Sequence, residues 1–339
     1  MATSSFPRAS GILLHPTCLP GPHGSGDLGA SAHHFVDWLA AAGQRLWQIL
    51  PLGGIGPGDS PYMSSSAFAG NVLLIDLNEL GERGWLTSDE LHPPSGVRDD
   101  ALDFAVVHPF RMDRLARAAA RFATHATTAE RADLEAFCDS HADWMDDWSL
   151  FMALADHHGW TDWHTWPEPL ALRDPDALAH ARSVLADRIS FWRFTQWCFF
   201  RQWRRLRAHA HARGVRIVGD APIFIAGNSA EVWAHRHLFE LDAEGRPQVV
   251  AGVPPDVFSA TGQRWGNPLY RWAAHAADGY AWWTERIRRT FELVDVVRID
   301  HFRGFAGYWE IPATEPTAVH GHWRPGPGSA LFDAFARAL

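Results

Sequence analysis

VDVVRIDHFRGF, residues 294–305, is an apolar run that closes on charge. Val294, Val296, Val297 and Ile299 suit a strand buried on both faces, as in parallel sheets. Arg298, Asp300, His301 and Arg303 do not, because ionised groups are costly to bury unless paired. Strand side chains alternate, so Val296, Arg298 and Asp300 share one face and Val297, Ile299 and His301 the other. An arginine beside Asp300 favours its ionised form, and a charged aspartate at a strand's carboxyl end suits a nucleophile or a charge stabiliser. The same pair suits a structural brace at a barrel rim, and the local sequence leaves both readings open.

Three further runs have this character: GILLHP (11–16), RLWQILPL (45–52) and VRIVGDAPIF (215–224). NVLLIDL (71–77) reads as a fifth strand or an extended segment. Between the first two runs, DLGASAHHFVDWLAAAG (27–43) has Leu28, Phe35, Trp38, Leu39 and Ala42 at helical spacing and Gly43 to end the helix, giving a β-α-β unit. From 98 to 213 the pattern is helical, with Trp144, Trp148, Phe151, Met152 and Ala155 on one face, followed by ISFWRFTQWCFFRQWRRLRAHAHARG (189–214). The expected organisation is an α/β barrel with residues 1–97 carrying the first strands, 98–213 a helical insertion, and 214–339 two further strands. Long Gly-, Pro- and aromatic-rich loops follow the strands, which is where such barrels keep their active sites.

Composition narrows the chemistry. The chain of 339 residues is 47% hydrophobic, enough for a sizeable core, and its net charge of -9 offers no footprint for nucleic acid or an anionic membrane. All 30 basic residues are arginine, so a lysine Schiff base and a P-loop lysine drop out. Three scattered cysteines, Cys18, Cys138 and Cys198, indicate neither a disulfide framework nor a cysteine metal site and suit a reducing cytoplasm. No apolar stretch reaches the roughly 18 residues of a membrane span, and MATSSFPRAS does not have the pattern of a leader, so a cytoplasmic protein is expected.

Other residues invite chemistry. Asp220 in VGDAP ends another strand. Asp76 in LLIDL reads instead as a cap for the next turn. Tyr62 in DSPY and Trp265 in QRWGNPLY sit among polar residues and suit sugar-stacking platforms, whereas Trp192, Trp197 and Trp203 read as core. GSGDLG (24–29) matches a dinucleotide fingerprint but does not follow a strand through a tight turn. The histidines lack metal-ligand spacing, so no metal is expected. GHWRPGPG (321–328) reads as a loop.

Taken together, GILLHPTCLPGPHGSGDLG, WQILPLG, GDSPYMSSSAFAGN, FTQWCFFRQW, GDAPIFIAGNSAEVWAH, AGVPPDVFSATGQRWGNPLYRW and VRIDHFRGFAGYWEIPA resemble the signatures of the amylomaltases, or 4-alpha-glucanotransferases, of glycoside hydrolase family 77 in the α-amylase clan. The resemblance runs almost end to end. It implies a (β/α)8 TIM barrel and retaining transfer of α-1,4-glucan segments between maltooligosaccharides, without a cofactor. It also implies that Asp300 is the nucleophile and Arg298 its support. Tyr62, Asp220 and His301 would line the sugar subsite, with Ser60 beside Tyr62. Asp256, Gln263, Trp265 and Asn267 would belong to a loop over the substrate groove.

Two departures accompany it. An aromatic that some relatives place before GDSPY, at a second glucan contact, is Pro57 here. The family's acid/base glutamate and stabilising aspartate lie in motifs like AEDLG and HDN, which these residues lack. The expectation is a chain holding about the first four barrel strands, and Glu310 in WEIP does not read as a substitute acid. An α-glucan hydrolase and an inactive glucan-binding fragment remain the alternatives.

Overall fold

The structure, a computed structural model, describes residues 7–99 and 101–339. It opens with β1 (Gly11–Leu13), α1 (Ala30–Ala41) and β2 (Leu46–Gln48), the expected β-α-β unit. Helices α2 (Leu77–Glu82), α3 (Phe104–His125), α4 (Thr128–Ser140), α5 (Ala142–His157), α6 (Glu168–Ala171), α7 (Pro175–Val184) and α8 (Ala186–Ala212) follow. Strand β3 (Arg216–Ala221) then leads through α9 (Ala230–Ala234) to β4 (Val249–Val253) and β5 (Gln263–Pro268). The remaining elements are α10 (Trp272–Ala277), α11 (Ala281–Leu293), β6 (Val296–Ile299), β7 (Gly307–Pro312), β8 (His322–Pro325) and α12 (Ser329–Ala338).

Strands β1, β2, β3 and β6 form one parallel sheet in that order. Its close approach is set by Gly11, where a Cβ would lie 2.4 Å from the Leu46 carbonyl oxygen. Helix α1 covers the sheet with Ala32, Val36 and Leu39, while Trp38 is 49% exposed, so the helical face is rotated from the one expected. Phe35 stacks on Trp38 and meets Trp47 edge-on, which lets Phe35 bridge core and surface.

Helix α8 ties the helical region to the sheet. Trp197 and Trp203 are buried, and their indole N–H groups donate to Asp133 and the Leu293 carbonyl. Trp192 donates to Asp156. Each aromatic therefore buries its ring without stranding its polar edge.

Two expectations are corrected. Residues 71–77 are not a strand: Val72–Leu74 form a 3-10 turn capped by Asn71, and Asp76 caps α2. Among the described residues no ladder pairs them; Asn71 donates to the Leu52 carbonyl and Leu74 accepts from Leu28, while side-chain amides of α8 hold the flanking Gly70 and Asp76. Gln196 both donates to and accepts from Gly70, and Gln202 does the same with Asp76. Only glycine fits at 70, where a Cβ would meet the Phe199 ring at 2.1 Å. The second correction concerns the loops. They contain an antiparallel sheet ordered β5-β4-β7-β8, and His322–Pro325 of GHWRPGPG is its outer strand.

Candidate active site

The parallel register between β3 and β6 places Asp220 beside Arg298 and Ala221 beside Ile299. The Asp300 N–H then donates to the Ala221 carbonyl, so pairing continues one residue past the strand. This brings three charged side chains together. Arg298 Nη1 lies 2.7 Å from both Asp220 oxygens, and Nη2 lies 2.7 Å from Asp300 Oδ1. The guanidinium is a bridge between two carboxylates, with a fork geometry that lysine does not have.

The two carboxylates differ in setting. Asp220's side chain is 1% exposed and Asp300's is 40% exposed. Both Asp220 oxygens are engaged, since Oδ2 also accepts from the Tyr62 hydroxyl at 2.7 Å. Asp300 engages Arg298 through Oδ1 alone among the described residues. Burial, reinforced by that bond to Asp220, pushes the Tyr62 hydroxyl well above the usual phenol range and keeps it a donor. Partial burial of Arg298 works against its charge but is outweighed by Asp220 and Asp300, which hold it above the ordinary arginine value.

Ser60 precedes Tyr62 and accepts from the Tyr62 N–H at 3.3 Å, fixing the turn that presents the phenol. His301 has φ 48°, a left-handed conformation that non-glycine residues seldom adopt. Its ring meets Trp265 edge-on at 4.9 Å, and its Nε2 is buried with no hydrogen-bond partner among the described residues. Burial lowers the His301 pKa, opposed by Asp300. Tyr62, Asp220, Arg298 and Asp300 are thus linked by hydrogen bonds, and His301, the next residue in the chain, brings Trp265 beside them.

Of the other expected residues, Gln263 touches this group through Trp265, and Asp256 and Asn267 are engaged elsewhere. Gln263 accepts from the Trp265 indole at 3.0 Å. Asp256 accepts from the Phe258 and Ser259 N–H groups, stiffening a loop whose tip leaves Phe258 94% exposed. Asn267 is buried and its amide donates to the Ile225 carbonyl at 2.9 Å, so it fastens the connector after β3. Glu310 is held by His322 at 2.7 Å and Arg324 at 3.0 Å across the β7–β8 pair.

Sequence reasoning missed a set of buried polar groups behind the cluster. Arg286 and Tyr270 both donate to the Ile223 carbonyl, and Glu231 accepts from the loop around Ser66. Their only signal is polarity inside apolar surroundings, which does not name the partners.

A family model described as 4-alpha-glucanotransferase matches residues 14–339. The chain is 53% identical over 327 residues to a 4-alpha-glucanotransferase of Thermus thermophilus, covering 96% of this chain and 65% of that one. It is 43% identical over 341 residues to the chloroplastic/amyloplastic 4-alpha-glucanotransferase of Solanum tuberosum, covering 98% of this chain and 58% of that one. The solved amylomaltase of Streptococcus agalactiae, in complex with acarbose, superposes with a TM-score of 0.94 at 39% identity, over 98% of this chain and 67% of that chain. The chain therefore spans 56–66% of the length of these and other curated relatives that it matches.

Proposed function

The chain belongs to the 4-alpha-glucanotransferase family, and from that premise we propose that it carries the nucleophile half of a glucanotransferase acting on α-1,4-glucans. The observation that carries this reading is the exposed Asp300 carboxylate held through one oxygen by Arg298, which is itself anchored on buried Asp220. That arrangement keeps Asp300 pointed while leaving its second oxygen to attack an anomeric carbon. Tyr62 and Asp220 form a hydrogen-bonded wall, with the His301 ring beside Asp300. Trp265 supplies an aromatic flank. The acarbose named with the Streptococcus agalactiae structure supports an oligosaccharide as the ligand class.

In this proposal Asp300 displaces one glucan from the anomeric carbon, forming a covalent glycosyl-enzyme, and the 4-hydroxyl of an acceptor sugar then displaces Asp300. Each displacement inverts the centre, so the configuration is retained. A retaining route needs a second carboxyl group about 5–5.5 Å from the nucleophile to move the proton. We assign that role to no described residue; Glu310 is committed to His322 and Arg324. Likewise we propose, on family grounds, that the parallel sheet β1-β2-β3-β6 is part of a (β/α)8 barrel, with Asp220 and Asp300 at its carboxyl end.

The test is incubation of the complete polypeptide with maltotriose. Transfer yields longer oligosaccharides and glucose, hydrolysis yields only shorter products, and a glucan-binding protein yields neither. Asp300→Asn should abolish transfer with the fold intact by circular dichroism. Turnover retained in that variant would remove Asp300 from the role of nucleophile.

A further inference from the structure

We infer that Glu231 is a positioning residue: it fixes the loop of residues 60–69 so that Tyr62 meets Asp220. The inference deepens the proposed glucanotransfer reading and rests on it for its kinetic arm. Loop and connector touch at two places. At one, Tyr62 donates to Asp220. At the other, Ser66 Oγ donates to Glu231 Oε1 at 2.6 Å and the Ala67 N–H donates to Oε2 at 3.1 Å. The Ala230 N–H adds a bond to the Ser65 carbonyl at 3.0 Å.

The direction of these bonds is determined. Ser66 Oγ accepts from the Phe68 and Ala69 N–H groups at 3.0 and 3.1 Å, so both lone pairs are taken and its one proton goes to Glu231. Each Glu231 oxygen therefore faces a donor, and the arrangement asks for an acceptor on both sides. A carboxylate supplies two; the glutamine amide supplies one and sets an N–H against a donor at the other.

The connector that carries Asp220 and Glu231 is rigid between them. Arg286 donates to the Pro222 and Ile223 carbonyls, Tyr270 to Ile223, and Asn267 to Ile225. The loop is less well backed. Tyr62, Ser66, Asp220 and Arg286 border one small cavity of about 80 Å³, so close packing does not set the height of the loop there. Beside that cavity the two polar attachments set it, while Phe68 packs on Trp144 and Trp282 farther along. Loss of the Glu231 attachment leaves the Ala230–Ser65 backbone bond and the buried Phe68 ring to hold the far end of the segment, and the Tyr62–Asp220 bond to hold the near end.

The test compares the parent, Glu231→Gln and Ser66→Ala, each also with Tyr62→Phe, in the complete polypeptide. Hydrogen exchange reads the positioning without reference to turnover. Amides of residues 60–69 in Glu231→Gln should exchange at least about tenfold faster while those of β3 and α8 keep their protection. Transfer from maltotriose should fall about tenfold or more in kcat, and that fall should shrink below about threefold when Tyr62 is already Phe, because the two changes then act through one contact. Ser66→Ala keeps the carboxylate and should show the same pattern at smaller size, which covers the case of a Glu231→Gln chain that folds poorly. Unchanged loop exchange, a rise spread over the whole chain, or an equal kcat loss with and without Tyr62 would overturn the inference. A parent without transfer would refute the proposed function, and the exchange arm would still decide this one.

Discussion

Replacing Arg298 with Met keeps an apolar stem over the end of β6 and removes the guanidinium. Three contacts of 2.7 Å go with it, two to Asp220 and one to Asp300. The losses are unequal. Asp220's side chain is buried and retains only the Tyr62 hydroxyl. Breaking a buried pair from one side costs about 3–5 kcal/mol, because the surviving charge stays buried without compensation. Asp300 is open to water, where loss of an ion pair costs about 0–1 kcal/mol. Arg298 is itself 46% exposed, so the lower end applies and the expected destabilisation is about 3 kcal/mol, nearly all through Asp220.

Denaturant unfolding of Arg298→Met, Asp220→Asn and the double variant checks this attribution. If the unpaired charge of Asp220 is the main cost, adding Asp220→Asn to Arg298→Met should restore about 2 kcal/mol, although Asp220→Asn alone destabilises. Activity should behave differently. On the proposed function, transfer by the complete polypeptide should fall roughly a hundredfold in Arg298→Met, since Asp300 loses the contact that orients it, and Asp220→Asn should not recover it. Arg298→Lys should fall between, because one ammonium cannot reproduce the fork to two carboxylates. An Arg298→Met loss below about 1 kcal/mol, or a double variant less stable than either single one, would refute the reasoning.

Gln196→Met should cost about 2–4 kcal/mol in denaturant unfolding, since it leaves the Gly70 N–H and carbonyl without their buried partners. Burial holds His15, His23 and His275 at a pKa of about 4, below the ordinary 6.5. The unfolded chain therefore binds more protons between those values, and stability is full above pH 6.5 and lost as pH falls toward 4. From pH 7.5 to 5.5 each of the three should remove roughly 1.4 kcal/mol, measurable as a drop in denaturation midpoint that His275→Phe reduces. Replacing both Val257 and Phe258 with Ser should leave stability within about 0.5 kcal/mol, as both side chains are exposed, yet shift products from transfer toward hydrolysis if the loop excludes water. An unchanged product ratio would remove that role from the loop.

How much of this was legible in the sequence depends on whether the signal is local. The parallel strands announce themselves because both of their faces are apolar, and the alternation in residues 296–300 already set Arg298 and Asp300 on one side. Strands β5 and β8, QRWGNP and HWRP, carry Gly, Pro and charge because much of their surface is open, so they read as loops until the pairing of β5 with β4 and of β8 with β7 is seen. The segment 71–77 shows the opposite failure: its apolar run is buried as expected, but it turns instead of pairing, and amides of Gln196 and Gln202, over a hundred residues away in sequence, fasten Gly70 and Asp76 at its two ends. Asn267 looks like a groove residue from its motif and is used by the scaffold. Asp220 is the sharpest case. Its sequence neighbours mark a strand end, yet its place as the shared partner of Arg298 and Tyr62 arises from one register between β3 and β6 and one loop docked 158 residues away in sequence. A one-residue shift in that register would face Arg298 with a different side chain and leave a carboxylate buried alone, so the pairing of β3 with β6 is itself part of the site.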